Sequence, residues 1–157
     1  MQGRVYVVDI AATAITVAAD IIEITPADDK PIEVLGFELL QTTDLGDAQE
    51  EVIGVEWIRG HTVSGSGGAA PTPRPVNPSD AAAGFTAETL NTTAANTGTT
   101  VILQHHGWNI RIPTQVIYTP EACPQASQGN TTLILRMLAA PADSITMSGY
   151  VLVRELG

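Results

Sequence analysis

The chain has 157 residues and a formal net charge of −10, with 44% hydrophobic and 15% charged residues. This length is typical of one domain and is sufficient to bury a core without disulfides or metals. The excess of acid, with one lysine and six dispersed arginines, argues against binding to nucleic acids or to anionic membranes, because both need clustered basic residues.

The low charged fraction is the main functional indication in the composition. Globular proteins usually contain about 25% charged residues, and here Thr, Ala, Ser, Gly and Pro occupy many of those positions. Such a surface suits burial against another protein, because few charges must be desolvated. Cys123 is the only cysteine, so no internal disulfide can form, and we expect an ordinary thiol and cytosolic synthesis.

Two strands are predicted at the start of the chain. Residues 2–10 show the alternation of side chains that is typical of a strand with one buried face. Residues 15–25 form the second predicted strand, which Pro26 closes. Asp9 interrupts the apolar stretch at residues 5–19, so we interpret this stretch as strand rather than as a cleaved signal peptide. The two faces of the first strand carry Val5, Val7 and Asp9, and Tyr6, Val8 and Ile10.

The next two strands are predicted at residues 32–42 and 50–59. Gly36 lies inside the first of them and predicts a β-bulge or the close approach of another backbone. Residues 43–47 are expected to form the loop between these strands.

A long irregular segment follows at residues 60–83. Its first part is rich in Gly and Ser, and its second part is rich in Pro, which is typical of flexible and then extended chain. Loops of this length in a compact domain are usually functional. We therefore expect the segment to lie at a contact with another protein.

A short helix is predicted at residues 79–83, because Ser79 or Asp80 can cap its start. Residues 85–100 are expected to form a strand followed by a loop. Residues 101–104 begin another predicted strand.

We expect His105, His106 and Gly107 to kink this strand before it continues over residues 108–112. The remaining elements before the C-terminal region are a short strand at residues 115–119 and a polar loop at residues 120–129.

The C-terminal residues 130–155 are predicted to form a β-hairpin, with a turn containing Pro141 and Asp143. Neither face of its two strands is strongly charged, so we expect both faces to be covered. Arg136 points away from the expected core and needs water, a carboxylate or a neighbouring subunit. The uncharged residues beside it favour an intersubunit site. The side chains expected in the core are those of Leu133, Leu135 and Met137.

About eight strands joined by loops of varied length account for the chain. No internal repeat and no domain boundary are visible in the sequence. The pattern predicts an all-β protein, a single-domain antiparallel β-sandwich of the jelly-roll kind over residues 1–157.

The histidines and carboxylates do not predict a reaction centre. His105 and His106 are neighbours, so on a strand they point to opposite faces, and His61 is distant in sequence. The acidic residues at 28–29, 44–47 and 50–51 lack the ligand spacing of a calcium loop and suggest a solvated rim. We expect no catalytic residue, no cofactor and no metal. Trp57 and Trp108 are predicted to be core or interface anchors rather than platforms for sugars.

Four stretches together resemble small virion proteins of tailed bacteriophages, namely capsid decoration (cement) proteins with jelly-roll folds. They are residues 36–51 (GFELLQTTDLGDAQEE), 58–93 (IRGHTVSGSGGAAPTPRPVNPSDAAAGFTAETLNTT), 106–111 (HGWNIR) and 127–156 (SQGNTTLILRMLAAPADSITMSGYVLVREL).

The resemblance implies a homotrimer that lies on the exterior of a virion capsid, binds the major capsid protein and reinforces the shell against DNA pressure. The resemblance implies no catalytic residues in this chain. One alternative is a jelly-roll associated with a tail or fibre that binds a glycan of the host surface. A small enzyme of the cupin type is a second alternative, but its set of two His and a Glu on one strand plus a later His is not present. The residues expected at interfaces are Ser64, Pro71, Arg74, Pro75, Trp108 and Arg136.

Overall fold

The computed structural model describes residues 3–43, 51–127 and 131–157, and within them the chain forms eleven strands and no helix. The acidic residues 44–47 and Glu50 therefore lie outside the described residues. The strands are β1 (Arg4–Ile15), β2 (Asp20–Thr25), β3 (Ile32–Gln41), β4 (Val52–Val63), β5 (Arg74–Pro75), β6 (Thr86–Asn91), β7 (Asn96–Asn109), β8 (Thr114–Ile117), β9 (Gln125–Ala126), β10 (Leu133–Met137) and β11 (Ile145–Glu155).

The strands form two antiparallel sheets that pack as a sandwich. Sheet A has the order β5-β1-β11-β3-β8, with β9 also paired to β3, and sheet B has the order β6-β2-β10-β4-β7. The eight strands β1-β11-β3-β8 and β2-β10-β4-β7 reproduce the strand order of a jelly roll. The predicted fold class is therefore confirmed, and β5, β6 and β9 are additions to it.

The core lies between the sheets, and the alternation seen in the sequence positions it. Tyr6, Val8 and Ile10 of β1 are buried, as the period of two predicts. Phe37 and Trp57 meet edge to face in the centre, with ring centroids 5.9 Å apart. The expected core positions on β10 are confirmed, since Leu133, Leu135 and Met137 are at most 3% exposed.

The predicted irregularity at Gly36 is also confirmed. The β3–β11 register shifts between Leu152 and Val153, which pair with Gly36 and Val34. A Cβ on Gly36 would collide with the carbonyl oxygen of Val116 on β8. Gly36 therefore allows the backbone of β8 to approach β3 closely.

The predicted C-terminal hairpin is wrong. β10 pairs with β2 and β4 in sheet B, whereas β11 pairs with β1 and β3 in sheet A. The turn around Pro141 therefore crosses between the sheets. Alternation identifies a strand with one buried face, but it does not distinguish a hairpin from an arch between two sheets.

Two local predictions in the middle of the chain are also wrong. Residues 79–83 form no helix, because the Asn77 side chain accepts a hydrogen bond from the Ser79 amide (3.1 Å) and sets a turn instead. His105 and His106 do not kink a strand, since β7 runs without a break from Asn96 to Asn109. The strand and loop expected at residues 85–100 are present as β6 and residues 92–95, and β7 begins at Asn96.

The segment at residues 60–83 is mostly exposed, but it is attached to its own subunit. Its β5 pairs with β1, and the Tyr6 hydroxyl donates to Ala81 O (3.1 Å). The buried Glu155 carboxylate accepts a hydrogen bond from the Gly84 amide (2.6 Å), which anchors the end of the segment. The prediction of irregular chain throughout this segment is therefore wrong, because the segment contains the last residues of β4 and the whole of β5.

Candidate assembly surfaces

The outer face of sheet B is covered by the chain itself. β4 and β7 pair as a two-stranded ribbon, which turns over β10 beyond Gly60. At this turn the amide of Thr132 donates a hydrogen bond to His61 O (3.3 Å). We call residues 60–69 and 92–98, which lie over this face, the cap. Ala95 of the cap packs on Ile58 and Ile134 of the sheet in an apolar cluster, in which each residue is at most 2% exposed.

Two glycines make the turn of the ribbon possible. Gly60 and Gly98 have φ values of 104° and 85°, in the left-handed region that side chains disfavour. A Cβ on Gly60 would collide with Thr99 O, and a Cβ on Gly98 would collide with Gly60 O. The turn therefore depends on glycine at both positions.

The cap also encloses an ion pair. Arg136 donates from Nε to Asp20 Oδ1 (2.6 Å) and from Nη2 to Asp20 Oδ2 (2.9 Å), and Asp20 is fully buried. Arg136 Nη2 also donates to Ala95 O (2.8 Å), and the Ala95 amide donates to Asp20 Oδ2 (2.7 Å). The hydrogen bond with Asp20 raises the pKa of Arg136 above its ordinary value. The pair therefore fastens the cap to sheet B.

A second carboxylate holds the cap further along β2. Glu23 is 1% exposed, and its Oε2 accepts hydrogen bonds from the Gly65 amide (2.9 Å) and from Asn91 Nδ2 (3.3 Å). Asn91 also donates to Glu88, the residue opposite Glu23 across the β2–β6 ladder (2.7 Å). The amide of Asn91 thus lies between two like charges and reduces their repulsion.

Two of the expected interface residues are accounted for within the subunit. Arg136 has a carboxylate partner, Asp20, in its own chain, so its charge does not need a neighbouring subunit. Trp108 is fully buried in the core, and its indole donates to Ile112 O (3.2 Å). Trp57 is fully buried as well, so neither ring is open to stack on a sugar.

The outer face of sheet A has no comparable cover among residues 3–43, 51–127 and 131–157. We call it the open face. One row of paired positions crosses it from β1 to β8: Val7, Leu152, Gly36 and Ile117. Ile117 is 75% exposed, and Gly36 contributes no side chain. The row is therefore apolar and flat at its centre.

Polar rows border the apolar row on the open face. On one side Arg154 donates to Glu33 (2.6 Å). On the other side Gln115 donates to the Tyr150 hydroxyl (2.8 Å), next to Glu38. An apolar strip with polar borders has the anatomy of a protein interface.

The remaining expected interface residues lie around these surfaces. Arg74 pairs with Val7, so it lies at the β1 end of the apolar row, and Pro75 pairs with Tyr6. Pro71 is half-buried in the segment that leads to β5. Ser64 lies in the cap and donates to Glu88 (3.2 Å). The structure therefore brings Arg74 and Pro75 together beside the open face and places Ser64 on the other sheet.

The histidines occupy three different environments. His61 is buried under the cap, and His105 is exposed beside Glu56 (3.4 Å). His106 lies against Phe37, and its Nε2 is 2.9 Å from the Tyr118 hydroxyl. Burial, with a smaller contribution from His105, lowers the pKa of His106. Burial likewise raises the pKa of Tyr118.

No reaction centre is visible in the part of the chain that the structure describes. Within it no group of three or more His, Cys, Asp or Glu side chains is placed to hold a metal. Cys123 is half-buried and donates to Thr119 O (3.4 Å), and burial raises the pKa of its thiol. A raised pKa leaves the less nucleophilic thiol form.

The cap is the feature that sequence reasoning missed. The sequence does not show that these segments meet, because Gly60 and Gly98, and the acids Asp20 and Glu23, are separated by long stretches of sequence. The acids on β2 were a usable signal, because a carboxylate at a strand position between buried isoleucines needs a partner that covers it.

No family model matches the chain, and no curated protein matches it significantly. The described residues contain no helix with the length and apolar character to span a membrane.

Proposed function

We propose that this protein is a structural virion protein that decorates and stabilises a bacteriophage capsid as a homotrimer, with the major capsid protein as its partner. The open face is the surface that becomes buried when the protein assembles. The protein lies on the exterior of the capsid and performs no catalysis.

The difference between the two outer faces carries this proposal. The chain covers sheet B with its own cap, whereas sheet A presents the row of Val7, Leu152, Gly36 and Ile117. A flat apolar strip across four strands favours contact with a second protein surface. The low charged fraction and the resemblance to jelly-roll decoration proteins point to the same kind of partner.

Co-sedimentation with capsids that lack the protein tests this function. The purified chain should pellet with such capsids at a fixed ratio that saturates. Light scattering of the free protein should give a mass of about three times 16.5 kDa. A monomer that stays in the supernatant at saturating capsid would overturn the proposal.

A pair of leucine variants tests the role of the open face. Leu152→Glu places a charge in the apolar row, and Leu138→Glu places the same charge at a 54% exposed leucine adjoining sheet B. We expect Leu152→Glu to abolish capsid binding or trimer formation and Leu138→Glu to preserve both. If Leu152→Glu, with an unchanged melting temperature, still forms trimers that bind capsids, the open face is not the contact.

A further inference from the structure

The strands at the ends of the two sheets differ in length and in the cover that the chain gives them. The outer edge of β6 is partly occupied by a bridge between Ala69 of the cap and Thr89. Sheet A ends in short strands, β5 with two residues and β8 with four, and short edge strands limit unwanted pairing. β7 is different, because it has 14 residues and, within the described residues, pairs only with β4.

The composition of β7 lacks the usual protection of an edge. Its sequence NTGTTVILQHHGWN contains no Lys, Arg, Asp, Glu or Pro, although such residues normally prevent edge-to-edge pairing. In a chain with a net charge of −10, two copies repel each other over most of their surfaces. Because β7 itself carries no acidic residue, its edge is where two such copies can approach with the least repulsion.

Apolar side chains are exposed on both faces of this edge. Ile102 is 53% exposed and continues the row of Ile134 and Ile58 that is buried under the cap. Val101, next to it, is 42% exposed and points to the opposite face, as alternation requires. A strand added beside β7 would cover both side chains and satisfy the free backbone groups.

The regular part of β7 is long enough for such pairing. Its register with β4 shifts near Leu103 and again between Val101 and Gly98. From Gln104 to Asn109 the pairing with β4 is continuous. Six residues match the usual length of a strand.

We propose that β7 is a self-pairing edge, which joins two copies of this chain as antiparallel strands across a twofold axis. An isologous contact of this kind presents the same strand from both partners. The β7 contact rests on the proposed function and extends it. A trimer closed through the open face leaves its β7 edges pointing outward, where they pair with neighbouring trimers on the capsid.

A single-cysteine scan tests the pairing directly. In a Cys123→Ser background, positions 101–107 and 109 are replaced by cysteine one at a time in the full chain, which is then mildly oxidised; the fully buried Trp108 is left unchanged. Paired residues of antiparallel strands lie about 4.5–5.5 Å apart at Cα, within the range of a disulfide. The covalent dimer should form with one sharp maximum, at the residue on the twofold axis, and fall off on both sides.

Charge variants with a matched control give a second readout. At concentrations above those of the light-scattering measurement, the wild type should form species larger than the trimer in sedimentation velocity, and Val101→Lys should abolish them. Val17→Lys is the control, because Val17 is 43% exposed, like Val101, and lies in the turn before β2. We expect the control to associate normally.

The outcomes separate this inference from the proposed function. Loss of association in Val101→Lys with retained capsid binding supports both. Self-pairing without any capsid binding supports the β7 contact and refutes the capsid role. A flat cross-linking profile, or equal effects of Val101→Lys and Val17→Lys, would overturn the β7 contact.

Discussion

Asp20 and Arg136 face each other across the β2–β10 ladder and form a two-point ion pair, with N–O distances of 2.6 and 2.9 Å, beneath a cap that the same chain supplies. Asp20 is fully buried, and the Arg136 side chain is 21% exposed. The Ala95 backbone joins the pair from the cap. The pair therefore links the outer face of sheet B to the segment that covers it.

Arg136→Ala should destabilise the isolated subunit strongly. Removing one partner of a buried pair leaves an uncompensated charge and costs about 3–5 kcal/mol, and here Asp20 would be that charge. Urea unfolding of the variant measures the loss.

Arg154→Ala is the matched control, because Arg154 also pairs with a carboxylate, Glu33, but its side chain is 34% exposed. Its cost should be about 1 kcal/mol or less. Equal stabilities of the two variants would show that the cap does not bury the Asp20–Arg136 pair.

The bend of the β4–β7 ribbon gives the second prediction. Gly60→Ala adds a methyl group where φ is 104° and where Thr99 O blocks the space. We expect a loss of at least 1–3 kcal/mol from backbone strain, together with loosening of the cap. Hydrogen exchange at the Gly65 and Ala95 amides, which the cap holds on Glu23 and Asp20, reports the loosening.

Gly107→Ala is the control for this bend. Gly60 lies in β4 and Gly107 lies in β7 of the same ribbon, but a Cβ on Gly107 meets only a Val52 methyl group at an ordinary 3.4 Å. Its stability should change by less than about 0.5 kcal/mol. If Gly60→Ala behaves in the same way, the ribbon does not need glycine to turn.

The sequence predicts the sandwich but not the cap, and the reason is physical. Alternation reports the local exposure of a strand, so it located most strands and the buried side of β10. Alternation does not report what covers the second face of a strand. Ile134 and Arg136 alternate with the core residues of β10, yet the cap covers them. Arg136 contacts Ala95 and His61, which lie 41 and 75 residues earlier in the chain. For β11 the sequence predicts that neither face is strongly charged and that both are covered, and within the described residues the chain leaves the outer face of β11 on the open face. The identity of its partner strands depends on long-range pairing.

Replacement of Leu135 by Ala tests the core of β10. Leu135 is fully buried, so the substitution removes packing and leaves a cavity, at a cost of about 2–5 kcal/mol. Leu138 is the residue that follows β10, and it is 54% exposed. Leu138→Ala should therefore cost less than about 0.5 kcal/mol. Thermal melts of both variants decide the matter, and similar melting temperatures would contradict the assignment of the buried face.

The last prediction concerns pH and His106. Burial, and secondarily His105, lowers the pKa of His106 in the folded state below its ordinary value of 6.5. Between the folded pKa and about 6.5 the unfolded chain therefore binds more protons, so the free energy of unfolding falls as the pH falls through this window. Above about pH 6.5 the contribution of His106 is fully present.

We expect His106→Gln, which keeps an acceptor for the Tyr118 hydroxyl but does not titrate, to lose less stability than the wild type between pH 7.5 and 5.5. His105→Gln is the comparison variant, because His105 contributes only the smaller part of the lowered pKa of His106, and its curve should lie between those of the wild type and His106→Gln. Urea unfolding at several pH values separates the three proteins. Parallel curves for wild type and His106→Gln would assign the acid sensitivity to the carboxylates, because the His106 imidazole would then bind protons equally in the folded and unfolded states.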